Sequence, residues 1–398
     1  MNSPLAISNF SVVTSLGAGR TQTLAALREG RSALAPCRFD AVPFPAYAGE
    51  IAELNNMPLE GQFAAFDCRN NRLAALALRN DGFADTVEAA RLSYGSARVG
   101  VMLGTSTAGL QQTEMAYRNR DPETGQLPTG FDYARTHNSY SLARFVRLAC
   151  NLSGPAFVVS TACAATAKVF ASAMRMIDAG VCDAAVVGGV DTLCATTLYG
   201  FHALGLIAEG PCRPFDVERS GISIGEGAGF FLLERPTAHH GPESVFLLGF
   251  GESSDAYHMS SPHPEGIGAR LAMEQALAMA DLDPAAIDYI NLHGTATPVG
   301  DAAEDRAVSD LFGVRTACSS TKGFAGHTLG ASGAVEAAFC ALSIEHGLLP
   351  GSPHTRTIDP TFRSAYVQET RSARVDRVVS NSFGFGGANC SLVLGHAA

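Results

Sequence analysis

Short apolar runs that end at glycine alternate along this chain with segments of helical periodicity. The apolar runs predict strands at residues 98–103, 156–160, 184–187, 229–233, 245–248, 289–292, 316–321, 378–379 and 391–394. Several of them are continuously apolar, which is typical of strands buried on both faces. The alternation of such strands with helices predicts an α/β fold.

The clearest predicted helix follows Cys163 and stops at Gly180. One face of this helix carries residues at the helical period: Cys163, Ala167, Phe170, Met174 and Ile177. A second helix, which stops at Gly347, repeats the pattern with Val335, Ala338, Phe339 and Leu342. Glycine directly after the last periodic residue is a typical helix stop. Both segments are therefore predicted to be helices that pack one face against the protein.

The chain also repeats itself weakly. Residues 101–107 (Val-Met-Leu-Gly-Thr-Ser-Thr) resemble residues 290–297 (Ile-Asn-Leu-His-Gly-Thr-Ala-Thr), and Ser-Thr pairs precede both predicted helices. Residues 235–242 have the composition of a connection. We expect an N-terminal half over residues 1–235 and a C-terminal half over residues 243–398, which share one core and bring their loops to one site.

Composition narrows the class of protein. The chain has 398 residues, 46% of them hydrophobic, and a formal net charge of −10. This balance disfavours nucleic acid and anionic membranes as partners, because both need clustered cations. No N-terminal signal pattern and no apolar run near the ~18 residues of a membrane span occurs, so we expect a cytoplasmic protein. The 10 cysteines form no Cys-x-x-Cys pair, so we expect reduced thiols and no metal site.

Cys163 is the first candidate for chemistry. It follows a predicted strand and opens a predicted helix, with small neighbours on both sides. The free N–H groups and the dipole at a helix start favour a negative charge, so we expect a thiolate nucleophile with a lowered pKa. A buried structural cysteine is the competing interpretation.

Two histidines and a lysine are the next candidates. His293 ends a predicted buried strand, and His327 lies just ahead of a predicted helix. Lys322 stands out because Lys168 is the other lysine in a chain that otherwise uses arginine. Asp301 and Glu304 share one helix face and are expected to offer Lys322 a partner. Solvated charges and core histidines are the alternative for each.

The glycine-rich segment at residues 381–389 (Asn-Ser-Phe-Gly-Phe-Gly-Gly-Ala-Asn) lies between two predicted strands. Glycines at this density allow backbone N–H groups to approach an oxyanion, although a tight hairpin would use them equally. Ser106, which follows a predicted strand, is the candidate nucleophile of an alternative serine hydrolase.

Four separated motifs resemble those of the β-ketoacyl-acyl carrier protein synthases, the elongating Cys-His-His class of the thiolase-like superfamily. They are residues 160–164 (Ser-Thr-Ala-Cys-Ala), 293–301 (His-Gly-Thr-Ala-Thr-Pro-Val-Gly-Asp), 320–327 (Ser-Thr-Lys-Gly-Phe-Ala-Gly-His) and 381–387. The resemblance implies a thiolase fold, a five-layered αβαβα core made of two pseudo-symmetric halves. The nucleophilic cysteine would lie in the first half, and the histidines and lysine in the second.

The resemblance also implies the reaction and the role of each residue. Cys163 would accept an acyl group from an acyl carrier protein, and a malonyl carrier thioester would lose CO2 and extend the chain by two carbons. His293 and His327 would donate hydrogen bonds to the malonyl thioester oxygen, and Lys322 would hold His327 and Glu304. Cys163 and Phe385 would form the oxyanion hole, with Phe385 as a gate. No cofactor is implied.

The resemblance further implies which residues bind substrate and carrier. Thr295 and Thr297 match positions that bind the pantetheine arm, while Thr107, Phe201 and Ile222 match the acyl pocket. Ile222 stands where phenylalanine is common, which indicates an unusual acyl chain such as an unsaturated or aryl-primed polyene. The acidic carrier protein requires a basic patch, for which the candidates are Arg69, Arg72, Arg79, Arg118 and Arg120.

Several alternatives remain open from the sequence. A homodimer is usual in this family, and a heterodimer with a specialised partner subunit, for example of aryl-polyene type, is the second possibility. A non-catalytic partner subunit is disfavoured because Cys163, His293 and His327 are all present. A serine hydrolase that uses Ser106 is the most distant reading. The acyl chain, the pathway and the cognate carrier are not determined by the sequence.

Overall fold

A computed structural model describes residues 3–397. The strands are β1 (Leu5–Thr14), β2 (Gly17–Ala18), β3 (Ala35–Pro36), β4 (Tyr47–Gly49), β5 (Val99–Gly104), β6 (Ala156–Val159), β7 (Ala184–Asp191), β8 (Ile224–Gly225), β9 (Gly227–Glu234), β10 (Val245–Ser254), β11 (Tyr289–Asn291), β12 (Ala317–Ser319), β13 (Leu348–Leu349), β14 (Ala365–Tyr366), β15 (Arg371–Ser372), β16 (Arg377–Gly384) and β17 (Ala388–His396).

The α-helices are α1 (Arg20–Glu29), α2 (Arg69–Arg79), α3 (Phe83–Tyr94), α4 (Leu110–Arg118), α5 (Tyr140–Ala149), α6 (Ala165–Asp178), α7 (Ala195–Ala203), α8 (Ile267–Ala280), α9 (Pro298–Phe312), α10 (Lys322–Ala325) and α11 (Ser332–His346). Short 3-10 helices cover Phe39–Ala41, Ala52–Asn56, Gly61–Phe66, Ser96–Arg98, Pro284–Ala286, Leu329–Ala331 and Phe385–Gly387.

The main sheet has the strand order β14-β12-β11-β16-β17-β10-β1-β9-β7-β5-β6, and β2 adds to β1. From the two ends inward, both halves of this sheet follow one pattern. In one half β6, β5 and β7 are parallel while β9 and β1 are antiparallel to their neighbours. In the other half β12, β11 and β16 are parallel while β17 and β10 are antiparallel. The two halves meet where β1 pairs with β10.

Helices α6 and α11 lie between the two halves of the sheet, against strands of both. Their apolar side chains dominate the largest buried cluster, in which Phe170 packs its ring edge against Phe231 at 5.0 Å. Close contact of the helices depends on Gly333, because a Cβ there would lie 2.6–3.0 Å from atoms of Ala167. Helices α2, α3 and α5 contact the first half of the sheet, while α8 contacts strands of the second half. These layers have the order αβαβα that the resemblance implies.

Most predicted elements are present with shifted ends. The helix after Cys163 begins at Ala165, and α11 stops at Gly347, whose left-handed backbone (φ 57°) lets its N–H donate to the Ser343 carbonyl. Strand β1 was not predicted from the apolar pattern, although it joins the two halves of the sheet. Ser8, Asn9 and Ser11 interrupt its apolar pattern, and their side chains find partners on other segments of the protein.

Strand β9 ends at Glu234 and β10 begins at Val245, so residues 235–244 connect the two halves of the sheet. We propose this connection as the division between an N-terminal half over residues 1–235 and a C-terminal half over residues 243–398. Within residues 3–397, no helix combines the length and the apolar character needed to cross a membrane.

Candidate active site

The Cys163 sulfur lies where β6 leads into α6. Strand β6 ends at Val159, and Ala162 then adopts a left-handed backbone (φ 47°) directly before Cys163. This conformation costs an alanine about 1 kcal/mol, which the surrounding contacts must offset. The bend directs Cys163 into a cavity of about 200 Å³ just ahead of the first turn of α6, although only 6% of the residue is exposed.

His327 is in direct contact with this sulfur. Its Nε2 lies 3.0 Å from Cys163 Sγ, and its Nδ1 lies 2.9 Å from the Ser332 hydroxyl at the start of α11. Because a hydroxyl both donates and accepts, Ser332 gives a partner to either neutral tautomer of the imidazole. The His327 backbone is fixed as well, since its N–H donates to the Ser223 carbonyl at 2.7 Å. His327 can therefore accept a proton from the thiol or present an N–H to the cavity.

His293 completes the group from the end of β11. Its ring centroid is 5.4 Å from that of His327, at an interplanar angle of 85°. One donor atom from each of Cys163, His293 and His327 lies within 4.8 Å of the others, so these three residues are also the ones that could hold a soft metal ion. The His293 N–H and the Gly294 N–H each donate to Glu304 at 2.7 Å. Glu304 therefore positions the His293 backbone.

Lys322 is buried beneath the two histidines, with 2% of its side chain exposed. Its Nζ forms an ion pair with Glu336 of α11, whose side chain is 5% exposed. The expectation that Glu304 or Asp301 would be its partner is wrong. Glu304 binds the backbone of His293 and Gly294, while Asp301 accepts from the N–H groups of Phe215 and Ala296.

The electrostatics follow from this burial. Desolvation, reinforced by the positive charge of Lys322, lowers the pKa of both His293 and His327 well below the usual 6.5. Both imidazoles are therefore neutral near pH 7. Burial raises the pKa of the Glu304 carboxyl, while the two backbone N–H groups that it binds lower it.

The expectation of a lowered cysteine pKa is wrong for the resting protein. Burial raises the pKa of the Cys163 thiol to about 12, and Lys322 and the Phe385 N–H counteract only part of that effect. Desolvation of the anion exceeds the stabilisation that the helix start and the lysine supply. The resting sulfur is thus a thiol, and His327 Nε2 lies within hydrogen-bond distance of it.

The glycine-rich segment closes the cavity above the sulfur. A Cβ on Gly384 would lie 3.1 Å from the backbone N atoms of Cys163 and Ala164, so only glycine fits without displacing them. This close approach lets the N–H of Phe385 point at the sulfur. The Phe385 ring lies 5.6 Å from that of Phe201, and both line the cavity. The Phe385 N–H is thus a backbone donor next to the position where an acyl carbonyl bound to Cys163 would lie.

Comparisons with known proteins agree with this geometry. Residues 2–239 match the family model described as the beta-ketoacyl synthase N-terminal domain, and residues 245–356 match its C-terminal domain. The chain belongs to the β-ketoacyl synthase family. Two family models together cover most of its length, and the Cys-His-His group lies where the family motifs predict.

Related proteins support the same assignment. The chain is 31% identical over 376 residues to 3-oxoacyl-[acyl-carrier-protein] synthase 2 of Staphylococcus aureus, which covers 89% of this chain and 91% of the relative. It is 40% identical over 266 residues to the mitochondrial 3-oxoacyl-[acyl-carrier-protein] synthase of Arabidopsis thaliana, which covers 62% of this chain and 58% of the relative.

Among solved structures, a ketosynthase in complex with its chain length factor from Xenorhabdus doucetiae superposes with a TM-score of 0.89 at 35% identity, and covers 99% of this chain and 98% of its own. The ishigamide ketosynthase/chain length factor gives 0.89 at 28% identity, with full coverage of both chains. The predicted thiolase fold is confirmed. This synthase is an acyl-transferring enzyme whose function is an elongating condensation.

The structure brings most of the predicted site residues of the synthase to one cavity. Cys163, His293, Glu304 and His327 line it, as do the residues predicted to bind substrate or act as the gate: Thr295, Thr297, Phe201, Ile222 and Phe385. Lys322 lies behind the histidines. Thr107 is an exception to the prediction, because it is buried and its hydroxyl donates to Asp191 at 2.7 Å without lining the cavity.

Only some of the arginines predicted to bind the carrier protein are exposed to solvent. The prediction is wrong for Arg69, because only 4% of its side chain is exposed and its guanidinium donates to Glu226, with a distance of 2.7 Å between Nη2 and Oε2. Arg72 is also largely removed from solvent by an ion pair with Asp67. Arg118 is exposed but pairs with Asp40, and Arg120 is exposed at the end of the same segment. Helix α2 turns Arg69 and Arg72 toward the protein, whereas Arg79 at its end is exposed.

Glu336, Ser332 and Asp255 were not predicted from the sequence, and Asn389 was named only as the last residue of the segment at 381–389. Asp255 and Asn389 line the cavity and are joined by a hydrogen bond of 2.9 Å. Glu336 interrupts an otherwise apolar run in α11, and a charge inside such a run is the one sequence signal that indicates a buried partner. The serine hydrolase alternative has no support, since both ring nitrogens of His327 face Cys163 and Ser332 and not Ser106.

Proposed function

We propose that the synthase transfers an acyl group from an acyl carrier protein to Cys163 and condenses it with a malonyl group on a second carrier. The observation that carries this proposal is the 3.0 Å contact between Cys163 Sγ and His327 Nε2, with His293 facing the same cavity. The cavity wall beside the sulfur is apolar at Phe201, Leu206 and Ile222, which suits an acyl chain. Its other side carries Thr295 and Thr297, which suit the amides of a pantetheine arm.

In the first step, the sulfur attacks the thioester carbonyl while its proton moves to His327. The negative charge that develops on the carbonyl oxygen is bound by the backbone N–H groups of Cys163 and Phe385. The intermediate collapses, the carrier thiol leaves as a thiolate, and His327 returns the proton to it. The products are acyl-Cys163 and the free carrier thiol.

In the second step, a malonyl carrier thioester enters and loses CO2. The electron pair of the broken carbon–carbon bond makes an enolate, whose oxygen accepts hydrogen bonds from His293 and His327. These neutral imidazoles are stronger donors toward charge that forms only in the transition state than toward the resting thioester. The enolate carbon then attacks the acyl carbonyl, and Cys163 leaves as a thiolate and takes up one proton from solvent.

Lys322 acts here through the histidines and not by contact with substrate. Burial lowers the pKa of both imidazoles, and the positive charge of Lys322 lowers it further, which favours their unprotonated form near neutrality. Its ion pair with Glu336 holds that charge at a fixed place beneath the site. Glu304 fixes the backbone of His293 by two hydrogen bonds of 2.7 Å. Both are positioning residues in this scheme.

The proposed partner is an acidic carrier protein that docks near Arg118 and Arg120. Arg120 is exposed and has no carboxylate partner among residues 3–397, so it remains the better candidate for a contact with the carrier. Reversal of its charge by Arg120→Glu should raise the KM for carrier-bound substrates and leave kcat unchanged. An unchanged KM would remove Arg120 from the docking surface.

We further propose a dimer, formed through the open edge of the sheet. Strand β6 ends the strand order, and its residues Ala156–Val159 are all half-buried in the single chain. An apolar sheet edge of this kind invites pairing with another chain. A second copy is our first choice. A chain length factor is the alternative, which the structural neighbours named above carry. We place the protein in the cytoplasm.

The acyl substrate is proposed to be an unsaturated or aryl-primed chain. Ile222 is 3% exposed and forms part of the cavity wall together with Phe201 and Leu206. An isoleucine in place of a phenylalanine leaves space for a flat, rigid chain beside the sulfur. If carriers loaded with saturated chains of eight to twelve carbons acylate Cys163 faster than every carrier loaded with a polyene, this substrate assignment is wrong.

The deciding experiment is mass spectrometry of the protein after incubation with acyl carrier substrates. We expect the acyl mass on the peptide that contains Cys163, and after addition of malonyl carrier, a product longer by two carbons with release of CO2. The Cys163→Ala variant is the control and should carry no acyl mass. Acyl mass on the peptide that contains Ser106 would refute the proposal in favour of a hydrolase.

A further inference from the structure

Helix α7 forms one wall of the catalytic cavity. Its residue Phe201 lines the cavity with Cys163, and the Phe201 ring lies 5.6 Å from the ring of Phe385. Leu198, one turn earlier, is 1% exposed and packs in the same apolar cluster as Ile222. The position of α7 therefore sets the shape of the space next to the sulfur.

The start of α7 has no cap of its own. The residue at its N-cap is Cys194, which makes no capping hydrogen bond, and the first turn contains no acidic side chain. The helix spans only nine residues, so unsatisfied N–H groups at its positive end weaken it considerably. Its first turn needs an acceptor from elsewhere in the protein.

Glu114 of α4 supplies that acceptor. Its Oε2 accepts the Ala195 N–H at 3.0 Å, and its Oε1 accepts the Thr196 N–H at 2.7 Å and the Thr196 hydroxyl at 2.6 Å. One carboxylate thus binds three donors at the start of α7. The negative charge also complements the positive end of the helix.

Helix α4 is itself held at both ends. Thr107, just before it, donates its N–H to Asp191 at 2.7 Å, and Arg118 at its end pairs with Asp40. Four residues after Asp40, the Phe44 ring stacks on His202 of α7 at 3.8 Å. Because α4 is anchored in this way, the Glu114 carboxylate is a fixed point for α7.

We propose that Glu114 is a positioning residue that fixes α7, and through Phe201 selects which acyl chains reach Cys163. This inference rests on the proposed function and deepens it. His293 and His327 follow β11 and β12 in the other half of the chain, and no hydrogen bond between them and α4 or α7 occurs within residues 3–397. Glu114 should therefore govern the acyl-loading step and not the decarboxylation of malonyl carrier.

The test compares two rates in the wild-type protein, Glu114→Ala, Glu114→Gln and the control Glu88→Gln. Glu88 is a half-exposed carboxylate on α3 that pairs with Arg91 and has no contact with α7, so it matches the loss of charge. The first rate is the loading of Cys163 from acyl carriers of graded length and unsaturation, read by intact mass. The second is CO2 release from malonyl carrier.

We expect Glu114→Ala to change the ratio of loading rates between the best and the poorest acyl chain by about tenfold, which is the usual effect of a small change in an apolar pocket. CO2 release should stay within about twofold of wild type. Glu114→Gln should be intermediate, because its amide oxygen still accepts from an N–H group of α7. Glu88→Gln should match the wild type in both assays.

An unchanged ratio in both Glu114 variants would overturn the inference. An equal loss of acyl loading and of CO2 release would also overturn it, since that outcome describes a residue that only stabilises the fold. Should Glu114→Ala fail to fold, Glu114→Gln carries the same test. A wild-type protein that loads no acyl group on Cys163 would refute the proposed function itself, which separates the two failures.

Discussion

The buried ion pair between Lys322 and Glu336 permits the sharpest test of how the site is built. Replacement of Glu336 by leucine leaves the Lys322 ammonium buried without a partner charge, since 2% of its side chain is exposed. Two unit charges at about 4 Å attract by about 4 kcal/mol at an effective dielectric constant near 20. Loss of one partner of a buried pair costs about 3–5 kcal/mol. That is a large share of the 5–15 kcal/mol that stabilises a typical protein.

The double variant separates stability from function. Lys322→Met with Glu336→Leu removes both charges and replaces them with apolar groups, so most of the lost stability should return. Catalysis should not return in full, because the positive charge that reinforces desolvation in lowering the pKa of His293 and His327 is gone. The double variant is therefore expected to recover stability without recovering full activity.

The measurement is a double-mutant cycle by thermal unfolding, with acyl loading of Cys163 measured on the same samples. At roughly 2 °C per kcal/mol for a large domain, Glu336→Leu alone should lower Tm by about 6–10 °C. The double variant should recover most of that loss. A single variant that unfolds within 1 °C of wild type, or a double variant no more stable than the weaker single one, would show that the pair is not coupled and would refute the reasoning.

Three further predictions follow from the same site. Burial, reinforced by the charge of Lys322, lowers the pKa of His327, so Lys322→Met should raise that pKa and move the acid limb of the loading rate to higher pH; a limb at the wild-type position contradicts this. Gly384→Ala should slow loading of Cys163 by about tenfold to a hundredfold, because its Cβ displaces the backbone around the sulfur while the fold tolerates it, as a melting curve will verify. Burial raises the pKa of Asp301 from 3.8 to about 7. Between pH 3.8 and 7 the native protein therefore binds more protons than the unfolded chain, so the stabilisation from protonated Asp301 is full below pH 3.8 and is lost as the pH rises to 7. Through this group, the free energy of unfolding of the wild-type protein in urea should fall by up to about 1.4 kcal/mol per pH unit between pH 5 and 7, and Asp301→Asn should lack that part of the fall. If the plots of unfolding free energy against pH are parallel for the two proteins, other groups cause the fall.

The sequence by itself determined the fold class and most of the catalytic group. Continuous apolar runs between glycines predicted the strands at residues 184–187 and 391–394, because strands buried on both faces leave no polar positions. The motifs around Cys163, His293 and His327 predicted that a cysteine would meet two histidines that lie more than one hundred positions later in the chain. Local pattern and motif spacing are sufficient for such features.

Only the tertiary structure decided the partners of the buried charges. Helical spacing predicted Glu304 as the partner of Lys322. In the folded protein Lys322 forms an ion pair with Glu336, and Glu304 accepts a hydrogen bond from the His293 N–H. Arg69 has the sequence appearance of a surface arginine and is buried against Glu226. The place of Cys163 at a helix start predicts a lowered thiol pKa. Desolvation in the folded protein outweighs that effect, so the pKa of Cys163 is raised instead. Pairing and desolvation depend on distances between segments far apart in the chain, and a one-dimensional pattern does not contain those distances.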